Sequence, residues 1–161
     1  MESAMRIPMT PKGYEALKTE LERLRKVDRP KNIQDIAEAR EHGDLRENAE
    51  FKAAKERQAF LDTRIGEIEQ KLGQADVIEI GTGTSDTVVF GTTVRIRALE
   101  SDELKTYTLL GQEEADVKNG LISVQSPLGR QLIGRHVGDV VQVTLPAGMI
   151  EYEIQDIFFR E

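Results

Sequence analysis

Two carboxylates three residues apart, Asp44 and Glu47, have the residue type and spacing that suit metal chemistry. They follow Gly43 in the segment 41–51, which reads EHGDLRENAEF. On a helix, side chains at i and i+3 lie on one face and can approach a common ligand. Carboxylate oxygens suit Mg²⁺, but two are too few to cage an ion that takes six ligands and usually shares waters and phosphates. The pair therefore predicts a site that another macromolecule completes.

The same acids also fit a purely structural role. Asp44 suits the N-cap of a following helix, and Glu47 three residues later completes a pair that resembles a capping box. Acids at this position also interact favourably with the positive end of the helix dipole. The two roles are compatible, because a capping carboxylate has a second oxygen that can bind a ligand.

Two amphipathic segments flank the acids. Thr10-Pro11 predicts the start of a first helix, because a capping hydroxyl precedes proline at the first helical position. Its apolar stripe has coiled-coil spacing: Tyr14, Leu17, Leu21, Leu24. Pro30 is expected to interrupt or kink this arm. Beyond it the stripe resumes in a shifted phase with Ile33, Ile36, Ala37. A second helix is predicted from about residue 44 to Leu72, with the seam Phe51, Ala54, Gln58, Leu61, Ile65, Ile68, Leu72.

These segments predict an antiparallel helical hairpin, because each stripe needs a partner and the turn at Gly43 is short. At 1.5 Å per residue, an arm of about 30 residues is roughly 45 Å long. Dimerisation of extended helices is the alternative use of the stripe. Counting the seam back from Phe51 reaches Glu47 and then Asp44. Both acids are therefore expected on the face that packs against the first arm, where that arm has ended.

After Gly73 the pattern changes to short β-branched segments separated by Gly, Asp and Pro, which predicts a small domain with an antiparallel sheet. The predicted strands are 76–80, 87–90, 93–99, 104–110, 121–123, 140–145 and 150–159. Ser126-Pro127 predicts one short helix that ends at Gly134. The chain is thus expected to be α+β, with a hairpin domain over residues 1–75, its acidic tip at 41–50, and a second domain over 76–161.

Composition limits the function further. The chain has no Cys, which excludes disulfides and thiolate metal sites, and its net charge of −7 argues against a basic nucleic-acid coat. That charge is uneven: residues 1–73 are neutral and residues 74–161 carry all of it, which indicates two domains with different partners. No apolar segment approaches the length of a membrane span. We therefore expect a soluble cytoplasmic monomer without a membrane partner.

Residues 36–51, which read IAEAREHGDLRENAEF, resemble the Gre family of bacterial transcript cleavage factors. Supporting matches occur at residues 7–10 (IPMT), 89–91 (VFG) and 122–128 (ISVQSPL), and the likeness extends in order along essentially the whole chain. Leu45 favours the A type of the family, since the B type usually has a basic residue at that position.

The resemblance implies an antiparallel coiled-coil hairpin that enters the secondary channel of RNA polymerase, followed by an FKBP-like domain that docks at the channel rim. It implies that Asp44 and Glu47 hold a second, weakly bound Mg²⁺ jointly with the polymerase and orient the attacking water. The substrate is the nascent RNA 3′ end of a backtracked complex. The factor is then not an enzyme alone, because it completes the two-metal site of the polymerase.

Further site residues are implied by the resemblance. Basic side chains near the tip are candidates for holding the extruded RNA through its phosphates: Arg40, Arg46, Lys52, Lys55. The structural alternative for them is ordinary helix solvation and ion pairing. Ser123, Ser126 and Pro127 are candidates for docking to the largest polymerase subunit, and their structural alternative is a loop with a helix cap.

Three rival functions remain open at this point. A Gre-like regulator that plugs the same channel and inhibits transcription keeps the hairpin but alters the tip acids. A folding helper or prolyl isomerase is suggested by the FKBP-like fold, although residues 74–161 lack Trp and hold few aromatic side chains for a pocket floor. A structural coiled-coil module would leave the match at the tip unexplained.

Overall fold

A computed structural model of the chain describes residues 6–41 and 45–160, with every side chain among them except those of residues 45–48. The predicted α+β class is confirmed: long helices fill the first half, and a five-stranded sheet with a short helix fills the second. The described residues form two compact units. One comprises residues 14–75, and the other combines residues 6–13 with residues 76–160.

The first arm of the hairpin contains helix α1 (Pro11–Arg23), a π-helical turn at Leu24–Asp28, called the π segment here, and helix α2 (Arg29–Glu41). Thr10 starts α1 as predicted: its hydroxyl oxygen accepts a 3.0 Å hydrogen bond from the amide of Gly13. Pro11 occupies the first helical position, where an amide would have no partner within the helix. The start of the first helix is therefore specified locally.

The π segment shows how the arm continues past Pro30. The Arg29 amide bonds the carbonyl of Leu24, five residues back, so this turn holds one residue more than an α-turn. The buried stripe moves accordingly, and the buried residues of α2 are Asn32 and Ile36. The predicted change of phase is confirmed, but two of its members were wrong. Ile33 is 55% exposed and Ala37 is also exposed.

The second arm is helix α3 (Leu45–Gln74), and its predicted seam is confirmed. Leu61, Ile65 and Ile68 are buried, and the remaining seam positions are half-buried: Phe51, Ala54, Gln58, Leu72. Buried apolar side chains are thus concentrated in the half of α3 away from residue 45. The described helices include none that is both long enough and apolar enough to cross a membrane.

Polar contacts show that the arms are antiparallel, as predicted. Arg64 donates two hydrogen bonds, of 2.8 and 2.9 Å, to the carboxylate of Glu20. Further ion pairs join Arg29 to Asp62 and Arg25 to Glu69. Nearer the turn, the amide of Asn32 donates to the carbonyl of Ala54 at 3.0 Å. From the Arg25–Glu69 pair to the Arg29–Asp62 pair, and on to the bond between Asn32 and Ala54, the residue number rises on the first arm and falls on the second.

Residues 6–13 contribute a strand that the sequence analysis did not place. Strand β1 (Ile7–Met9) pairs with β2 (Ala75–Val77), which is shorter than the predicted strand 76–80. Met9 is fully buried, and its carbonyl accepts a 2.8 Å hydrogen bond from the amide of Ile78. Gly111 packs so closely that a Cβ there would lie 2.1 Å from the carbonyl oxygen of Pro8. Only glycine fits that contact.

The larger sheet has five strands in the order β5-β4-β3-β7-β6. They are β3 (Thr92–Ala98), β4 (Leu104–Leu110), β5 (Leu121–Ser123), β6 (Val140–Leu145) and β7 (Gly148–Phe159). The predicted antiparallel pairing holds for β3 with β4 and for β7 with both β3 and β6. It was wrong for β5, which runs parallel to β4. Residues 111–120 return the chain to the level of Thr108, so that β5 starts beside that residue and runs in the same direction as β4.

A β-bulge changes the side-chain alternation within β7. Arg95 on β3 is opposite Asp156, whereas Ile96 is opposite Ile154, so Gln155 is an extra residue on β7. Tyr152 and Ile154 are buried before the bulge, and Ile157 is buried after it.

The core of this unit lies between the sheet and helix α4 (Pro127–Leu132), with Ile96, Leu109 and Leu132 fully buried. The prediction of a strand at residues 87–90 was wrong. Thr87 forms an isolated bridge with His136, and Val88 exchanges hydrogen bonds with Arg135 and Gly134. Val88 is nevertheless fully buried. The β-branched segment was therefore recognised correctly as core, although it does not form a strand.

Candidate functional site

The two candidate metal ligands lie at the edge of the described structure. Asp44 is outside the described residues, and Glu47 belongs to α3 with its side chain outside them. The elements on either side are defined: α2 ends at Glu41 and α3 begins at Leu45. The seam of α3 extends to Phe51, which is half-buried. Since the seam is confirmed up to this residue, the count that leads from Phe51 to Glu47 and Asp44 starts from an observed position.

Arg40 is the candidate RNA ligand of the first arm, and it contacts the second. Its guanidinium lies 5.7 Å from the ring centroid of Phe51, within the range of a cation–π interaction. The contact joins the last turn of α2 to the exposed end of the α3 seam. Arg40 thus has a structural partner and remains exposed to solvent.

The two candidate lysines are on the solvent side of α3. Lys52 and Lys55 are both exposed, and the ammonium of Lys55 donates to the side-chain oxygen of Gln58 at 2.9 Å. A neutral partner leaves the charge of Lys55 uncompensated at this contact. Arg46, the fourth candidate, belongs to α3 with its side chain outside the described part.

An acidic groove lies between the arms near this end, lined by Asp35, Glu38 and Glu50 together with small residues of both helices. Asp35 pairs with Lys31 at 3.6 Å, and Glu38 accepts a hydrogen bond from Gln34 at 3.0 Å. Among the described residues, no group of three or more His, Asp or Glu is arranged to hold a metal ion. The described arms therefore supply the frame of the candidate metal site and not its ligands.

The candidate docking residues form one hydrogen-bonded corner between β5 and α4. Ser126 is the N-cap of α4: its hydroxyl accepts from the Gly129 amide at 3.1 Å and donates to the Ser123 carbonyl at 2.6 Å. The Ser123 hydroxyl accepts from the Gln125 amide at 3.0 Å. Pro127 follows at the first helical position and is exposed. The predicted helix cap is confirmed, and these bonds give the corner a defined shape.

The shifted pKa values lie away from the tip. The hydrogen bonds from Arg64 lower the pKa of Glu20 below its usual value. On the sheet, the hydrogen bond from Arg97 is the main cause that lowers the pKa of Glu153, and Gln155 adds to it. Bonds to Glu153 and Asp102 raise the pKa of Arg97 in turn. These groups are ion-paired and remain charged at neutral pH, so they are structural and show no sign of acid–base chemistry.

One polar residue of the hairpin escaped the sequence analysis. Asn32 is 4% exposed and bonded to the main chain of the opposite arm. The sequence analysis expected the stripe to resume in a shifted phase after Pro30 and placed Ile33 on it, but the sequence did not give the size of the shift. A one-residue insertion before the proline would have put Asn32 on the seam. Pro30 was therefore the feature of the sequence that could have indicated this change of phase.

Comparison with known proteins covers nearly the entire chain. Residues 7–77 match the family model described as transcription elongation factor, N-terminal, and residues 83–158 match that described as transcription elongation factor, GreA/GreB, C-term. The chain is 53% identical to a transcription elongation factor GreA from Pelobacter propionicus, over 96% of this chain and 98% of that one. It is 51% identical to the factor of the same name from Thermodesulfovibrio yellowstonii, over 96% and 98% of the two chains.

Among solved structures, the GreA factor homolog 1 (Gfh1) protein of Thermus thermophilus is 30% identical. The comparison covers 94% of this chain and 98% of that one, with a TM-score of 0.44.

Proposed function

The chain belongs to the GreA/GreB family of transcription elongation factors, and from that membership we propose that its hairpin completes the active site of RNA polymerase for RNA cleavage. As a GreA-type factor it stimulates cleavage by the polymerase and is not an enzyme by itself. The observation that supports this function is that about half of the residues are identical to those of GreA proteins over 96% of the chain. The cleaved RNA is the 3′ end extruded in a backtracked complex, so cleavage rescues arrested elongation.

In this proposal, Asp44 and Glu47 hold a Mg²⁺ ion jointly with the polymerase. The ion's contribution is to activate the attacking water and to stabilise the charge that develops on the phosphodiester oxygens. The donor set fits this shared binding, since two carboxylates are enough to raise the occupancy of a weak site and too few to bind Mg²⁺ alone. A carboxylate oxygen is also suitable for orienting the attacking water through a hydrogen bond.

We assign the basic side chains to the RNA. Lys52 and Lys55 are exposed on the outer side of α3, and Gln58, which accepts the hydrogen bond from Lys55, is neutral. Arg40 and Arg46 would act with them on the phosphates of the extruded strand. Phosphate contacts hold a strand without reading its sequence, as a factor that serves many arrest sites requires.

We assign docking to the corner formed by Ser123, Ser126 and Pro127, against the rim of the secondary channel on the largest polymerase subunit. The hydrogen bonds of this corner support the assignment because a preorganised loop loses little conformational entropy on binding. The factor would act as a monomer on the polymerase in the cytoplasm, where transcription takes place in bacteria.

The test is RNA cleavage in purified, backtracked polymerase complexes supplied with Mg²⁺ and the full chain. We expect short 3′-terminal RNA fragments with the wild-type protein. Asp44→Asn separates catalysis from capping, because Asn and Asp are about equally good N-caps but only Asp carries a charge. We expect this variant to lose at least about tenfold in maximal cleavage rate, which corresponds to about 1.4 kcal/mol.

Glu56→Gln is the matched control, since Glu56 is an exposed acid on the same helix α3. It should cleave at the wild-type rate. If Asp44→Asn also cleaves at the wild-type rate, the catalytic assignment is wrong and the acid is a cap. If the wild-type chain slows transcription and releases no fragments, the protein is a channel-plugging regulator.

A further inference from the structure

We infer that Asn32 is a positioning residue: its hydrogen bond to Ala54 fixes the register of the two hairpin arms and thereby the place at which residues 44 and 47 are presented. The functional part of this inference rests on the proposed function. The structural part, the register itself, can be measured without polymerase.

The bond has the properties of a register contact. Asn32 is 4% exposed, and its side-chain nitrogen lies 3.0 Å from the carbonyl oxygen of Ala54. The acceptor is a main-chain atom, so the bond fixes a position along α3 itself. A buried amide without a partner is unfavourable, and a single polar residue on an apolar seam is a known means of selecting one register.

The neighbours of Ala54 restrict where this bond can form. Ala53 and Ala54 are small, so the main chain of α3 is accessible at this level. The flanking seam positions hold Phe51 and Gln58, both half-buried, and their larger side chains would cover the carbonyls beneath them. The amide of Asn32 therefore finds its acceptor in one register and loses it in those next to it.

The other contacts between described residues define the register near the turn only weakly. The ion pairs from Arg25, Arg29 and Arg64 all join the arms on the side of Asn32 away from the turn. Among the described side chains between Asn32 and the turn, Ile36 is buried and Phe51 is half-buried at the seam, where its ring also contacts the exposed Arg40. This small amount of apolar packing is compatible with more than one alignment of the two arms. The hydrogen bond made by Asn32 selects one of these alignments.

The position of Asn32 on the seam depends on the π segment. Without the extra residue of this turn, the spacing that links Leu21 and Leu24 would bring Lys31 to the seam in place of Asn32. Lys31 is exposed. The extra residue of the π segment therefore places the side-chain amide of Asn32 in the interface between the two arms.

The consequence for cleavage follows from distance. Asn32 and Ala54 are each eleven residues from Gly43 along the chain. A slip of one residue displaces one helix by about 1.5 Å against the other. A misplacement of about 1 Å at reacting groups can reduce a rate about 100-fold. Loss of the register should therefore reduce the cleavage rate without affecting docking, which involves the other unit.

The register is tested by the distance between two spin labels. The chain has no cysteine, so Ala37→Cys and Ala49→Cys, both exposed and six residues from Gly43, provide the label sites. We expect one narrow distance distribution in the chain with Asn32, and a broad or bimodal one when Asn32→Leu is added. Asn32→Ala is measured in parallel, in case leucine does not fit. Ile33→Ala is the control, since Ile33 is 55% exposed, and should leave the distribution narrow.

Cleavage is then measured with the unlabelled variants against protein concentration. We expect Asn32→Leu to lower the maximal rate at least tenfold, with its half-saturating concentration and its helical circular dichroism unchanged. Unchanged distributions in both Asn32 variants would overturn the register inference. Broadened distributions with wild-type cleavage would overturn the positioning role. Failure of the wild-type chain to stimulate cleavage would contradict the proposed function and leave the label result standing.

Discussion

The ion pair of Glu20 and Arg64 is the most shielded of the charge contacts described between the arms. Each side chain is 30% exposed, compared with 42–54% for the partners of the pairs made by Arg25 and Arg29. Two hydrogen bonds in parallel give this pair a defined geometry. Such a pair is worth more than an ordinary surface contact, although solvent still screens it.

The lowered pKa of Glu20 gives the pair a pH dependence. Because the folded pKa lies below the ordinary value of 4.5, the stabilisation is fully present above pH 4.5 and is lost as the pH falls through the folded pKa. At pH 7 we expect Glu20→Gln to lower the free energy of unfolding by about 0.5–1 kcal/mol. Denaturant titrations from pH 7 downward should show this difference shrinking below pH 4.5.

The matched control is Glu56→Gln, which also removes a carboxylate from the hairpin, at an exposed site on α3. It should leave the free energy of unfolding close to that of the wild type throughout. A difference between wild type and Glu20→Gln that stays constant down to pH 2 would contradict the assignment of the ion pair.

At the scale of whole elements, two glycines with opposite surroundings test the packing. A Cβ at Gly111 would lie 2.1 Å from the carbonyl oxygen of Pro8, whereas a Cβ at Gly66 on α3 has nothing within 4 Å. The backbone of Gly111 has a φ of −81°, so contact with β1, and not conformational strain, decides the effect of substitution there. Gly66 lies inside a long helix, where glycine is unfavourable.

We therefore expect the two substitutions to change stability in opposite directions. Gly111→Ala should lower the free energy of unfolding by about 1–3 kcal/mol, because β1 or the following loop must move. Gly66→Ala should raise it by up to about 1 kcal/mol through helix propensity. Denaturant unfolding, followed by circular dichroism, measures both changes. Destabilisation by Gly66→Ala would mean that this face of α3 packs against something else.

The elements that the sequence predicted best are those set by local pattern. Strands β4, β5 and β6 and the cap at Ser126 lie where they were predicted, because alternation and capping chemistry are readable within a few residues. Strand β1 was missed since Ile7–Met9 is too short to show alternation and its partner is distant in sequence. Residues 87–90 show the converse error. Their β-branched composition indicates burial, but a buried segment can be a loop as well as a strand.

The candidate site divides in the same way. The spacing of Asp44 and Glu47 and the seam leading to them were visible in the sequence, while their use in cleavage came from resemblance to a family. Asn32 was not predicted because the π segment adds one residue to the turn before Pro30, and this extra residue changes which positions of α2 reach the seam. Ile33 and Ala37 were assigned to the seam for that reason.

At the scale of the whole molecule, the two halves of the chain differ in net charge, and this difference suits different binding partners. Residues 1–73 are neutral and residues 74–161 carry the net charge of −7. A neutral hairpin with acids at its end suits a site that already holds metal ions and RNA phosphates. The net charge of −7 makes non-specific binding of RNA by the second domain unfavourable and suits a protein surface instead. This charge distribution agrees with the proposed function, which places docking and catalysis in different parts of the chain.

This separation predicts that a variant without its tip acid competes with the wild type. Asp44→Asn leaves Ser123, Ser126 and Pro127 unchanged, so it should occupy the polymerase with the wild-type half-saturating concentration. When it is added in tenfold excess over a saturating wild-type factor, about nine of ten polymerases should carry the variant, and fragment release should fall about tenfold. The measurement is the rate of 3′-fragment release at a fixed wild-type concentration.

A second variant shows which part of the chain competes. Pro127 is exposed at the first position of α4, where an acid is compatible with a helix start. Adding Pro127→Glu to Asp44→Asn should therefore weaken the competition without unfolding α4. Val117→Glu, at a site 73% exposed in the same unit, adds the same charge and should leave the competition intact. Equal loss with both would implicate net charge, and no competition by Asp44→Asn at all would place docking on the tip itself.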